Sequence, residues 1–159
     1  MLYTTVDSPL GELLLAGDGR ALHGLYMQEG RTAITVPRDW ARDDEAFAHV
    51  REQLDEYFAG GRTEFDLPLA MDGSPFQRSV WQVLRDIPYG ETISYGELAR
   101  RVGPPATPRN VGATNGRNPI AVIVPCHRVI GADGSLTGYG GGLERKRLLL
   151  DLEAGVLAL

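Results

Sequence analysis

Cysteine is almost absent from this sequence, because Cys126 is the only one among 159 residues. A single thiol excludes an internal disulfide and a zinc site built from several cysteines. Long apolar runs are also missing, since none approaches the roughly 20 residues that a membrane helix needs. The first residues lack the basic flank and apolar core of a secretion signal. One unpaired cysteine is typical of a reducing compartment, so we expect a soluble, cytoplasmic protein that does not bind a membrane.

Basic residues are scarce in the first half of the chain. Up to Asp72 there are six basic and fourteen acidic residues, whereas from Gly73 onward there are ten basic and seven acidic. Such an asymmetry indicates a division of labour between the halves. The basic half is suited to approach a polyanion while the acidic half faces away. An ordinary mixed surface is the alternative.

The first part of the sequence is typical of a small α/β unit with antiparallel strands. Short runs at residues 2–6, 11–16 and 20–27, separated by turn signals, predict three strands. A loop is predicted over residues 37–43. Apolar residues at helical spacing from Phe47 to Phe58 then predict a helix, which Gly60-Gly61 ends. Residues 65–69 are interpreted as a last short strand. The sequence therefore predicts an N-terminal domain over residues 1–72.

Residues 73–159 are predicted to form a second, mostly helical domain, because three helix starts are clear. Ser74 with Gln77 and Ser94 with Glu97 have the spacing of capping boxes. Thr107-Pro108 supplies a cap and a first-turn proline for a third helix that ends near Asn115-Gly116.

The second and third of these helices are separated by a glycine-containing break at residues 103–106 and are similar to a helix-turn-helix. Many pairs of short helices never contact DNA. Four arginines in and around them supply the cations that phosphate contacts need: Arg100, Arg101, Arg109 and Arg117. A solvated arginine-rich face is the alternative.

The cysteine lies in the run Pro125-Cys126-His127-Arg128-Val129. A following imidazole and guanidinium favour the thiolate, which is the nucleophilic form of the side chain. The alternative is a small buried hydrophobe, because Cys126 ends the apolar stretch at residues 120–124.

The segment NPIAVIVPCHRVIG at residues 118–131 resembles the active-site signature of the O6-alkylguanine-DNA alkyltransferases, also called methylated-DNA–protein-cysteine methyltransferases. The segments PYGETISY at 88–95 and GYGGG at 138–142 are similar to the family at matching distances. The resemblance is strong over residues 76–153, and over the first 70 residues it rests on length and order of elements. It implies an α+β fold, with a ribonuclease H-like N-terminal domain and a winged-helix-like C-terminal domain.

The resemblance also implies the reaction. The protein is expected to bind double-stranded DNA in the minor groove, flip O6-alkylguanine or O4-alkylthymine out of the duplex, and transfer the alkyl group to Cys126. The transfer is irreversible and uses each molecule once. We expect a monomer that needs no cofactor, and cooperative assembly on DNA stays open. Some members carry an N-terminal zinc site with cysteines; this chain has none there, and His23 and His49 are isolated, so we expect no metal.

The resemblance assigns the catalytic roles. Cys126 is the nucleophile and His127 its base. Neighbours in sequence do not face each other on a strand or helix, so a bridging water is expected between them. Glu153 on the last helix orients the imidazole. Tyr95 donates a proton or hydrogen bond to the departing guanine.

The remaining assignments concern DNA and the alkyl pocket. Arg109 fills the space that the flipped base leaves in the stack. The other residues assigned to DNA are Tyr95, Gly112, Ala113, Asn118 and Arg128. The residues assigned to the substrate pocket are Tyr139, Gly140, Val129 through its backbone carbonyl, and Asn118, which also forms a hinge. The family usually has small residues on both sides of the arginine, so Pro108 and Asn110 are departures that bear on DNA affinity.

Two other functions remain open from the sequence. A helix-turn-helix protein that recognises lesions or regulates transcription without chemistry would leave Cys126 unmodified. A Cys-His-Glu hydrolase or small-molecule transferase would turn over many times and would not need Arg109.

Overall fold

A small sheet opens the chain in the computed structural model, which describes residues 1–156. Its strands are β1 (Leu2–Val6), β2 (Leu13–Gly17), β3 (Leu22–Met27) and β4 (Ala41–Arg42), in the order β3-β2-β1-β4. The first three pair antiparallel, as predicted. The loop prediction for residues 37–43 was wrong at its end, because β4 pairs parallel to β1.

One helix covers this sheet. After a short 3-10 turn at Glu45–Phe47, α1 runs from Ala48 to Phe58, as its apolar spacing predicts. Val50, Leu54, Tyr57 and Phe58 form its buried face. Since these residues recur at three- and four-residue intervals, they lie on one side of the helix and join the core beneath it.

The predicted strand at residues 65–69 was wrong. Only one bridge forms there, between Leu22 and Leu69, with the Leu22 N–H donating to the Pro68 carbonyl at 2.9 Å. Proline has no N–H to donate, so the segment follows the edge of β3 without continuing a ladder.

The second half is helical, and its helices are α2 (Pro75–Arg85), α3 (Tyr95–Val102), α4 (Pro108–Asn115) and α5 (Leu143–Glu153). Ser74 and Gln77 form the predicted capping box at the start of α2. At α3 only half of the predicted box forms: Ser94 Oγ accepts from the Glu97 N–H, while the Glu97 carboxylate pairs with two arginines of the same helix.

Asn110 has a local structural role at the start of α4. Its Oδ1 accepts from the Thr107 N–H at 2.8 Å, and Thr107 Oγ1 accepts from the Asn110 N–H at 3.1 Å. Its Nδ2 also donates to the Pro105 carbonyl at 3.1 Å. This departure from the family pattern therefore closes a capping box, with Pro108 as the first helical residue.

Helices α3 and α4, with the break between them, form the predicted helix-turn-helix, and a two-stranded parallel pair lies beside them: β5 (Ile93–Ser94) and β6 (Val129–Ile130). The predicted α+β class is confirmed. The indole N–H of Trp81 donates to the Thr114 carbonyl at 3.0 Å and ties α2 to α4.

The two halves share one continuous apolar core. The Leu25 N–H of β3 donates to the Pro119 carbonyl at 2.9 Å, so the sheet is attached directly to the segment that leads to Cys126. Across residues 1–156, no helix combines the length and apolarity needed to cross a membrane.

Candidate active site

Cys126 begins a 3-10 turn that ends at Arg128. Its N–H donates to the Val124 carbonyl at 2.8 Å, and its own carbonyl accepts from Asn115 Nδ2 at 3.2 Å. The side chain is 5% exposed and lines a cavity of about 350 Å³. The thiol is thus buried in the core and also faces a space large enough for a small ligand.

The cavity lies between the two halves of the chain. Asn118, Tyr139 and Gly140, three of the residues predicted to line the substrate pocket, lie around it with Cys126. Residues from the sheet side complete it, and these were not predicted: Leu25, Tyr26, Met27 and Thr32. The Arg31 N–H donates to the Gly140 carbonyl at 3.0 Å, so the N-terminal half also holds the glycine-rich segment at residues 138–142 in place.

His127 and Glu153 form the predicted pair, with 2.7 Å between Nε2 and Oε2. Both side chains are buried. Because an ionised carboxylate can only accept, Nε2 carries the imidazole proton and Nδ1 is left as the basic nitrogen. Nδ1 has no hydrogen-bond partner among residues 1–156, and no hydrogen bond joins Cys126 to His127 there.

The electrostatics of this pair favour a neutral base. Burial lowers the pKa of His127, and the Glu153 carboxylate acts against that shift. Burial alone would raise the pKa of Glu153, but hydrogen bonds from His127 and Arg128 outweigh it and lower the value to about 2. An ionised Glu153 beside a neutral imidazole is the arrangement that a general base requires near neutral pH.

The assignment of Arg128 to DNA was wrong. Its Nε donates to Glu153 Oε1 at 2.7 Å, its Nη2 to Oε2 at 3.0 Å and its Nη1 to the Ile87 carbonyl at 2.6 Å. The residue is 6% exposed. A guanidinium engaged in this way is part of the internal charge network and does not reach a phosphate.

The thiol is not activated by its surroundings alone. Burial raises the pKa of Cys126, while the Asn118 amide and the charge of Lys146 act in the opposite direction. Because the thiolate is the nucleophilic form, this site needs a group that removes the proton.

Lys146 was not among the predicted site residues. The structure shows that it is fully buried. Its Nζ donates to the Val129 carbonyl at 2.6 Å and to the Thr137 carbonyl at 2.9 Å. Desolvation lowers its pKa. The Val129 carbonyl, which was predicted to contact guanine, therefore already accepts a hydrogen bond from Lys146. Its contact with guanine stays a prediction. The spacing of Lys146, Leu149 and Glu153 on one face of α5 was the available signal.

Asn118 makes two hydrogen bonds to the segment before Cys126, and its role as a hinge to the recognition helix stays a prediction. Its Nδ2 donates to the Val124 carbonyl at 2.7 Å, and its Oδ1 accepts from the Ile120 N–H at 3.0 Å. Between these two contacts Val122 has a φ of 71°, a conformation that a β-branched residue rarely adopts. Asn118 therefore holds a strained turn just before the nucleophile.

Four of the residues predicted to face DNA lie together: Tyr95, Arg109, Gly112 and Ala113. Arg109 and Ala113 are exposed on α4 and lie four residues apart, with Gly112 beside them. The Arg109 side chain makes no hydrogen bond or ion pair within the described part of the chain. The Tyr95 ring packs against Gly112, and its hydroxyl donates to the Thr137 carbonyl at 3.1 Å.

Metal binding has no support in the part of the chain that the structure covers. No group of three or more histidine, cysteine, aspartate or glutamate side chains in residues 1–156 is arranged to hold an ion.

Comparisons with known proteins match both halves of the chain. Residues 1–71 match the model of the 6-O-methylguanine DNA methyltransferase, ribonuclease-like domain, and residues 75–155 match that of the 6-O-methylguanine DNA methyltransferase, DNA binding domain.

Similar proteins span nearly the whole chain. A methylated-DNA–protein-cysteine methyltransferase of Methanosarcina acetivorans is 51% identical over 96% of this chain and 98% of its own length. One of Mycobacterium tuberculosis is 56% identical over 95% and 91%. The crystal structure of Mycobacterium tuberculosis OGT in complex with DNA superposes with a TM-score of 0.92, at 53% identity, over 99% of this chain and 96% of that one. The chain therefore belongs to the 6-O-methylguanine DNA methyltransferase family.

Proposed function

We propose that this protein repairs alkylated DNA by transferring the alkyl group of O6-alkylguanine, and of O4-alkylthymine, to the sulfur of Cys126. The observation that carries the proposal is the placement of the only thiol on the wall of a cavity, directly before a buried His127–Glu153 pair. Relatives at about half identity are named methylated-DNA–protein-cysteine methyltransferases. The non-catalytic alternative is not favoured, because the chain keeps the nucleophilic cysteine and the His127–Glu153 pair that can remove its proton.

The reaction balances without a cofactor. His127 Nδ1 takes the thiol proton through a water molecule, and the thiolate attacks the alkyl carbon. The new S–C bond forms as the C–O6 bond breaks, and the bonding electrons stay on the guanine. Tyr95 donates a proton to the departing guanine, and the proton that His127 took from the thiol then restores the neutral Tyr95 through solvent. The thioether has no leaving group of comparable quality, so each protein molecule acts once.

Double-stranded DNA is the proposed partner. A similar protein has been crystallised with DNA, and α4 offers the exposed surface of Arg109, Gly112 and Ala113. Small residues allow close approach to the sugar-phosphate walls of the minor groove, and an arginine suits the space left by a flipped base. We propose that the protein binds as a monomer and works in the cytoplasm.

We further propose that the chain divides into domains at residues 72 and 73. The break between the two family matches supports this boundary. Asp72 is held by His23 Nδ1 at 2.9 Å, so the connecting segment is attached to the sheet. The nucleophile and α4 belong to the second domain, while part of the cavity wall comes from the first.

Intact-protein mass spectrometry tests the main proposal. The protein is incubated with a duplex that contains one O6-methylguanine and then digested to locate the modification. We expect one methyl group per molecule, on Cys126, and a repaired guanine in equal amount. More repaired bases than protein molecules would favour a turnover enzyme, and an unmodified protein would overturn the proposal.

Replacing Arg109 with alanine should weaken repair in duplex DNA far more than reaction with the free O6-alkylguanine base. The reason is that only the duplex requires unstacking, which costs a few kcal/mol without the inserted guanidinium. Transfer rates on the two substrates give the comparison. Arg147→Ala is the control, because it removes an exposed arginine whose partner is Asp151 on the same helix. Equal losses on both substrates in Arg109→Ala would contradict a flipping role.

A further inference from the structure

We propose that Tyr57, from the N-terminal domain, is a positioning residue for alkyl transfer: its hydroxyl donates to the same Glu153 oxygen that binds His127. This inference rests on the proposed function. It assigns the N-terminal domain a part in positioning the catalytic base, although Tyr57 lies 96 residues before Glu153 in the chain.

Three donors converge on one carboxylate oxygen. Glu153 Oε2 accepts from the Tyr57 hydroxyl at 2.5 Å, from His127 Nε2 at 2.7 Å and from Arg128 Nη2 at 3.0 Å. The other oxygen, Oε1, accepts from Arg128 Nε at 2.7 Å. Charge-assisted hydrogen bonds of this kind are short and strong, so each donor helps to fix the plane of the carboxylate.

The tyrosine hydroxyl is held at this place by its ring. Tyr57 is fully buried, and Phe58, Phe65 and Tyr89 surround it with ring centroids 5.3, 5.3 and 6.1 Å away. Burial raises the pKa of Tyr57, so the hydroxyl keeps its proton and can only donate to the carboxylate. A buried tyrosine hydroxyl needs a partner, and here that partner is the residue that orients the base.

The contact has two chemical consequences. It fixes the carboxylate of Glu153, and through that carboxylate it fixes the orientation of the His127 ring and of its basic Nδ1. It also withdraws part of the carboxylate's charge, which would otherwise stabilise a protonated imidazole. Tyr57 therefore affects both the geometry and the basicity of the group that removes the thiol proton.

The test compares Tyr57→Phe with Tyr89→Phe in the full-length protein. Tyr89 is a matched control because its hydroxyl donates to the Leu152 carbonyl, at 3.5 Å, and makes no hydrogen bond to the carboxylate of Glu153. Single-turnover transfer from an O6-methylguanine duplex is measured at saturating DNA across pH. Loss of one hydrogen bond to a charged group should slow transfer about 10-fold in Tyr57→Phe, with lesion binding unchanged. Tyr89→Phe should retain the wild-type rate.

The pH profile separates positioning from a general structural defect. The charged groups that act on His127 are Glu153 and Lys146 of α5 and Arg128 of its own turn. Glu153 in turn interacts with Tyr57 of α1, Tyr89 before β5 and Tyr139. Removing the Tyr57 donor leaves more charge on Glu153, so the acidic limb should move to higher pH. A stronger donor, 3-fluorotyrosine placed at position 57, should move it to lower pH.

Each result decides the inference. A Tyr57→Phe protein with wild-type rate and profile would overturn it, as would a loss of rate without any shift of the acidic limb. If Tyr57→Phe fails to fold, the 3-fluorotyrosine protein decides alone: a profile that does not move contradicts the role. If the wild-type protein itself forms no adduct, the proposed function fails, which is a distinct outcome.

Discussion

Replacing Cys126 with serine is expected to abolish alkyl transfer while binding to a lesion-containing duplex persists. A serine hydroxyl is a far weaker nucleophile than a thiolate, and the substitution adds no bulk to the cavity wall. The surface of α4 and the His127–Glu153 pair are unchanged. Mass spectrometry measures the transfer, and fluorescence anisotropy with labelled O6-methylguanine DNA measures the binding.

A thiol reagent provides the control for accessibility. Iodoacetamide should modify the wild-type protein at one position and the serine variant at none, because the chain has one cysteine. Any alkyl adduct on the serine variant after exposure to damaged DNA would contradict the assignment of the nucleophile. If the serine variant loses lesion binding as well as alkyl transfer, the shape of the cavity depends on the thiol.

Glu153→Gln should reduce both the stability of the fold and the rate of transfer. The carboxylate neutralises Arg128, which is buried, and breaking a buried ion pair by removing one partner costs about 3–5 kcal/mol. The amide also stops orienting His127 as a base, so transfer should slow by at least about 100-fold, the lower end of general base contributions. Urea unfolding and single-turnover kinetics give the two values.

The stability difference between wild type and Glu153→Gln should depend on pH. The pKa of Glu153 is lowered from 4.5 to about 2 in the folded protein. A depressed carboxyl pKa stabilises the fold fully above 4.5, and this contribution is lost as the pH falls toward 2. The two unfolding free energies should therefore converge over that interval. Glu144→Gln, an exposed change in the first turn of α5, should show no such convergence. Parallel curves for wild type and Glu153→Gln would contradict the charge network.

Local features of the fold could be predicted from the sequence because their causes are local. Ser74 and Thr107 start helices through bonds that span three residues, and the apolar spacing of α1 needs only the helical period. The pairing of His127 with Glu153 came from the resemblance to the family, since 26 residues and a loop separate them.

The rest depended on contacts between distant parts of the chain. Arg128 has the composition of a DNA contact, and nothing in its neighbours indicates that Glu153 and the Ile87 carbonyl draw it inward. Tyr57 has the spacing of a core residue, which it is, but its hydroxyl reaches a carboxylate in the second half of the chain. A periodic pattern indicates which face is buried and does not identify the polar partner that the face meets.

The turn around Val122 has a consequence for when the nucleophile is placed. A β-branched residue at positive φ costs on the order of 1–3 kcal/mol and persists only where surrounding contacts hold it, as the two Asn118 hydrogen bonds do here. That cost is met while the chain folds, before any DNA is present. In the proposed reaction, binding to a lesion therefore does not have to supply the free energy that places the sulfur, because the sulfur is already preorganised.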